Sequence, residues 1–138
     1  MTTKVPADLA AVVEARAVGR CEYCHAQQVL IGQAFHIDHI VPRSKGGQLT
    51  AENLCWACAH CNIAKADRTQ AVDPTTAKRV PLFNPRTQRW DEHFRWSRDW
   101  KRLIGRTPVG RATVASLDMN AKLLQNARPF WRVVGLLP

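Results

Sequence analysis

Cys21-Glu22-Tyr23-Cys24 and Cys58-Ala59-His60-Cys61-Asn62 decide how this chain is read. Each pair of cysteines encloses two residues, a spacing whose turn aims two thiolates at one point. Two such pairs a few tens of residues apart suit a single tetrahedral zinc ion. Asp38-His39 and Asn53 lie between them. A zinc that ties Cys21 and Cys24 to Cys58 and Cys61 therefore closes the loop carrying Asp38, His39 and Asn53, and sets Asn62 directly beside a ligand. Such an ion positions chemistry that it does not itself perform.

Disulfide pairing in a secreted domain is the competing reading of these cysteines. The N-terminal run Met1-Thr2-Thr3-Lys4-Val5-Pro6 has no apolar core of signal-peptide length, so reduced thiols and a cytoplasmic location are expected. The remaining cysteine, Cys55, precedes Cys58 by three positions and is read as a small buried residue, because four ligands already satisfy zinc.

The 138 residues fit one domain with room for an appended lobe, and no stretch reaches transmembrane length. Twenty Lys and Arg against eleven Asp and Glu give a net charge of +9 and a pI near 10.0. That balance favours a polyanionic partner, with nucleic acid the natural candidate. The excess is concentrated between Lys78 and Arg111, where ten basic residues meet three acidic ones and Trp90, Trp96 and Trp100 are interleaved. A solvated basic face is the plainer explanation; the arginines favour phosphate contact. The tryptophans are read as packing rather than as base-stacking groups.

Along the chain, Asp8 to Val18 reads as a short helix with Asp8 as its N-cap and Gly19 as its stop. The β-branched and apolar stretch Val29 to Ile40 reads as a strand ending near His39, with a loop marked by Pro42 and Gly46-Gly47. Asn53 to Ala57 can return as the second strand, and a short helix follows from about Cys61 through Ala66. The result is a ββα unit. Asp73 to Pro85 reads as a connector containing a short edge strand at Val80 to Phe83. Arg111 to Val134 reads as one or two helices with a break near Asp118 to Asn120. The expected fold class is thus α+β, with a core over residues 1–72 and a basic, mixed or helical extension over residues 73–138 that packs on it.

Phosphodiester cleavage needs an activated nucleophile and a counter-charge on the leaving oxygen, and one base with one hard cation supplies both. His39 offers a neutral imidazole that can take a proton from water near physiological pH. Asp38 and Asn62 offer hard oxygens suited to Mg²⁺ or Mn²⁺. Successive residues on a strand point to opposite faces, so Asp38 and His39 can serve different partners where the strand twists into the loop.

Cys21 to Lys65 resembles the HNH endonucleases of the ββα-metal fold, in their four-cysteine form. The matching residues are Cys21-Glu22-Tyr23-Cys24, Phe35-His36-Ile37-Asp38-His39-Ile40-Val41-Pro42-Arg43-Ser44-Lys45-Gly46-Gly47, Asn53-Leu54 and Cys58-Ala59-His60-Cys61-Asn62-Ile63-Ala64-Lys65. The resemblance implies His39 as general base, Asp38 and Asn62 as ligands of the catalytic divalent ion, Asn53 as the residue holding the His39 loop, and structural zinc on the four cysteines. Asn62 stands where some members carry histidine, which gives the His-Asn-Asn form and leans towards Mg²⁺ or Mn²⁺. The C-terminal half, with Leu82-Phe83-Asn84-Pro85-Arg86 and Gly110-Arg111-Ala112, resembles the tail of small free-standing bacterial HNH proteins.

Several nearby residues have a functional and a plain reading. His36 shares a strand face with Asp38 and is read as packing or supporting the site. Arg43 and Lys45 are well placed for phosphate, whereas His60 and Lys65 either touch the DNA backbone or are ordinary exposed residues. His25 is read as exposed, and His93 as a core or hydrogen-bonding histidine. The reading is a DNA endonuclease of low sequence specificity acting on duplex; the alternatives are a zinc-stabilised, non-catalytic DNA-binding module and an RNase or toxin using the same site. Nothing in the sequence fixes an oligomeric state.

Overall fold

The computed structural model describes residues 4–137. Helix α1 (Ala7–Ala17) runs through alanine-rich sequence that favours helix and buries Val13 and Ala17. Pro6 occupies the cap position, and Asp8 lies in the first turn, where its charge complements the helix dipole instead of capping. The helix ends on Val18 and Gly19, both in left-handed backbone (φ 53° and 74°).

The long strand expected over Val29 to Ile40 is much shorter. Gln28–Ile31 forms one helical turn, α2, closed by Gly32 at φ 72°, and strand β1 spans only His36–His39. Gly32 ends the apolar run before it can pair, and Gln28 accepts hydrogen bonds from Phe35 N (3.3 Å) and Trp56 Nε1 (3.0 Å) that fix the approach to β1. Strand β2 (Leu54–Ala57) pairs antiparallel with β1, setting Asp38 opposite Cys55 and His39 opposite Leu54. Helix α3 (Ala59–Lys65) follows, starting two residues earlier than Cys61 because the Cys58 sulfur caps it by accepting from Cys61 N. These three elements make the ββα core.

Strand β3 (Gln70–Val72) pairs with β4 (Arg79–Pro81), a hairpin that straddles residue 72; β4 begins and ends earlier than the strand expected over Val80 to Phe83. One helical turn, α4 (Trp90–His93), leads into β5 (Phe94–Trp96), which pairs with β6 (Leu103–Gly105). Helices α5 (Pro108–Ser116) and α6 (Lys122–Val133) close the chain, with the expected break at Asp118, φ 48°. Thr107 caps α5 through Gly110 N at 3.0 Å. Gly110 is required there, because an added Cβ would meet His93 O at 2.0 Å.

Val13, Tyr23, Phe35, Ile40 and Leu54 share one buried cluster with Phe83, Phe94, Leu103 and Trp131, so residues of both halves of the sequence contribute to a common core. Trp90 Nε1 donates to Tyr23 O at 2.8 Å and His60 Nε2 meets Asp118 O at 2.8 Å, tying residues of the C-terminal half to both cysteine turns. Among the described residues no helix is long and apolar enough to cross a membrane.

Candidate metal centre and nuclease site

Cys21, Cys24, Cys58 and Cys61 are all buried, and their sulfurs lie within 4.8 Å of one another. Cys24 Sγ and Cys58 Sγ are 3.8 Å apart, close to the edge of about 3.8 Å that a tetrahedron with zinc–sulfur bonds of about 2.3 Å would have. The donor set fits zinc electrostatically as well. Hydrogen bonds from Cys21, Cys24 and Cys61 hold the Cys58 thiol far below its usual pKa, and the reciprocal contacts push Cys24 and Cys61 well up. The protein alone thus resists ionising all four thiols at once; a divalent cation lets them ionise together. Cys55 stays outside the group, buried and with its thiol pushed up by burial and by Asp38.

The first cysteine turn is bound to β2. Glu22 N donates to Trp56 O (2.8 Å), Trp56 N donates to Glu22 Oε2 (2.7 Å), and Arg86 pairs with the other carboxylate oxygen. Tyr23, held between the two ligands, donates from its hydroxyl to Asp38 Oδ2 at 2.8 Å. Burial pushes the Tyr23 phenol well above its ordinary pKa, so it remains a donor.

Lys65 grips Asp38 from the other side. Its ammonium is 3.1 Å from Asp38 Oδ2 and donates to His39 O, also at 3.1 Å. Each cysteine turn thus supplies one group that holds the same carboxylate: Tyr23 from the first, Lys65 from the helix that grows out of the second. Lys65 is 1% exposed, so it does not present its charge to a phosphate backbone as the sequence had allowed; the helix turns it inward, where Asp38 compensates its burial.

Beyond β1 the chain turns over Pro42 into a 3₁₀ turn at Arg43–Lys45, and a second such turn at Ala51–Asn53 leads to β2. Asn53 bridges them. Its Oδ1 accepts from Val41 N (2.9 Å), and its Nδ2 donates to Val41 O (3.0 Å) and Gln48 O (2.9 Å). Gly47 is needed because a Cβ there would sit 1.6 Å from Val41 O. The loop directly after His39 is therefore stitched by one amide side chain that satisfies three backbone groups.

Within this frame His39 Nε2 is shielded from solvent and has no hydrogen-bond partner among the described residues, although the ring as a whole is half-buried. Asn62 is half-buried on α3, one turn before Lys65. Asp38 is buried, its Oδ2 fully engaged and no hydrogen bond made to Oδ1 by the described residues. His36, Arg43 and Lys45 lie at the surface, and His60 is committed to Asp118 O. The four cysteines form the one group of three or more His, Cys, Asp or Glu side chains among the described residues that could hold a metal, so a second ion at Asp38 and Asn62 would rely on few protein ligands. Mg²⁺, which keeps several waters, tolerates such a site.

Sequence reasoning missed three contributions: Tyr23 as a clamp on Asp38, the inward turn of Lys65, and His25, which is stacked on Trp90 at 3.9 Å rather than exposed. Burial and the neighbouring Arg20 lower the His25 pKa to about 3, so it packs as a neutral ring. His93 makes the hydrogen bond expected of it, to Thr107 Oγ1 at 2.6 Å.

No curated protein and no solved structure matches the chain. Residues 21–68 match the family model of the HNH endonucleases, and the match spans both cysteine turns, β1, β2 and α3. That segment is an HNH-like domain built around a four-cysteine site able to coordinate a metal ion.

Proposed function

We propose that this chain is a metal-dependent DNA endonuclease of low sequence specificity, acting on duplex DNA, with His39 as the general base. The observation that carries the reading is the uncommitted Nε2 of His39, beside a carboxylate and a loop that are both firmly tied. A polar atom shielded from water and left without a partner carries a desolvation cost that calls for an explanation, and a catalytic role supplies one.

In this reading His39 accepts a proton from the attacking water and Asn53 keeps the His39 loop from relaxing. Tyr23 and Lys65 fix the Asp38 carboxylate, and Asp38 with Asn62 would hold a Mg²⁺ or Mn²⁺ ion. When bound, that ion supplies charge stabilisation at the leaving oxygen. Zinc on the four cysteines is structural. Arg43 and Lys45, on the turn after β1, are read as phosphate contacts. Residues 1–72 form the nuclease unit in this reading, and residues 73–138 its basic extension.

Supercoiled plasmid incubated with the protein and Mg²⁺ or Mn²⁺ should be relaxed or linearised, and His39→Ala should lose this activity while keeping zinc and DNA binding. A fully active His39→Ala variant would remove His39 as the base. Plasmid binding without cleavage under any divalent ion would identify a non-catalytic binding module. Faster cleavage of a matched RNA duplex would make the enzyme an RNase.

A further inference from the structure

The ten basic residues between Lys78 and Arg111 do not form one uniform face. Arg86 pairs with Glu22, Arg111 with the buried Asp73, and Arg89 faces Asp91 and Glu92. Arg106 donates to Asp91 O. Of those that remain, Arg95, Arg98, Lys101 and Arg102 crowd into the β5–β6 hairpin, at its surface. Lys78 and Arg79 lie apart on the other hairpin.

The basic hairpin is rigidly held. Ser97 Oγ donates to Asp99 Oδ1 (2.6 Å) and accepts from Arg102 N (3.0 Å), and the same Asp99 oxygen accepts from Lys101 N (3.1 Å). The one acidic side chain of the turn is thus spent on the turn itself. Below it, Trp96 and Trp100 lie 6.4 Å apart, Arg128 sits 5.3 Å over Trp96 and Arg132 4.8 Å over Trp100. Arg128 is 1% exposed and donates to Lys101 O at 2.7 Å and Asn120 Oδ1 at 3.1 Å, while Asn120 clasps both backbone groups of Leu103 at 2.8 Å.

Burying a permanently charged guanidinium to brace a loop that is itself cationic works against charge repulsion in a chain already at +9. Such an arrangement holds the backbone that carries four exposed cations against a single carboxylate of the turn, Asp99. A braced backbone beneath exposed cations suits a regularly spaced polyanion, since little loop entropy remains to be lost on binding.

We infer that the β5–β6 hairpin is a docking surface for the phosphate backbone of duplex DNA, lying outside the HNH-like segment and engaging sequence-independently through Arg95, Arg98, Lys101 and Arg102. The inference takes the identity of the polyanion from the endonuclease reading. It is separable from that reading, because binding is measured without cleavage.

The test is fluorescence anisotropy of a labelled DNA duplex across a salt series, in buffer without Mg²⁺ or Mn²⁺. The compared proteins are the parent, Arg95→Gln/Arg98→Gln/Lys101→Gln/Arg102→Gln and the control Lys78→Gln/Arg79→Gln. The quadruple variant should weaken binding at least tenfold, and its slope of log K against log salt should fall by about 0.9 for each phosphate no longer neutralised. The control should keep the parent slope. A milder variant, Arg98→Gln/Lys101→Gln, changes only turn side chains and should show a partial loss, which guards against misfolding of the quadruple. An unchanged slope in both hairpin variants overturns the inference, as does an equal loss per charge in the control. Tighter hairpin-dependent binding to an RNA duplex or to anionic lipid vesicles overturns the DNA assignment. Failure of the parent to cut plasmid would overturn the endonuclease reading while leaving a hairpin-dependent salt slope in force.

Discussion

Lys65 carries its charge into the interior to meet Asp38, and that one contact rearranges what can be asked of both residues. Removing the ammonium leaves a buried carboxylate with only Tyr23 and a weak thiol contact from Cys55. Lys65→Met should therefore destabilise the protein by about 3–5 kcal/mol, and Lys65→Met with Asp38→Asn should recover part of that loss. Urea unfolding of the two variants checks both statements; an unchanged midpoint for Lys65→Met would sink them. The sequence placed Lys65 one turn beyond Asn62 but could not tell which way it faced. A seven-residue helix has too little amphipathic pattern to fix its rotation, and here the rotation is set by the cap at Cys58. Asn53 was legible only through the family resemblance, since Gln48, Thr50 and Glu52 beside it are equally polar and nothing local singles out the amide that pins the loop. Tyr23 was not: nothing in a two-residue gap between cysteines says that its hydroxyl reaches a residue on β1.

Among the elements, the β3–β4 hairpin and helix α5 are joined by Asp73 and Arg111, whose two parallel contacts are each 2.9 Å. The Arg111 guanidinium, aided by Thr75 N and Thr76 Oγ1, holds the buried Asp73 carboxyl well below its ordinary 3.8. A carboxyl with a depressed folded pKa contributes stability that is complete above its unfolded value, declines as pH falls below that value and is gone once pH has fallen through the folded one. Asp73→Asn should lower the melting temperature by several degrees, and the gap to the parent should stay constant from about pH 8 to about pH 5. A gap that narrows within that range would contradict the assignment. The sequence showed the two helices near the C-terminus through their apolar spacing and their break. It showed the short strands poorly, since β3, β4, β5 and β6 have three residues each and owe their existence to partners rather than to propensity. The overlong strand at Val29 to Ile40 failed for a related reason: β-branched composition was outweighed by Gly32, which turns the chain before it can pair.

For the whole molecule, the cysteine cluster joins the two segments from which Tyr23 and Lys65 reach Asp38. Stripping the metal, or replacing Cys58 with Ser, should remove a contribution on the order of 10 kcal/mol, comparable to the entire stability of a small domain. Circular dichroism before and after chelation should show cooperative loss of structure, restored by added zinc. An unchanged melting temperature for Cys58→Ser would refute the structural role. The two-residue spacings made this centre readable, because ligand geometry is local; the packing of the basic extension was less so, because it depends on side chains such as Arg128 whose partners lie elsewhere in the chain.

The interleaving of base and frame also bears on how such a protein is made. A ribosome releases Asp38 and His39 well before Lys65 and the second pair of cysteines that complete their surroundings. Until the segment through α3 emerges, Asp38 lacks the Lys65 ammonium and the four-cysteine centre that ties the two turns together is incomplete. In the endonuclease reading, a growing chain is thus incapable of cutting the nucleic acid around it, and competence arrives only once the segment through α3 is free to fold.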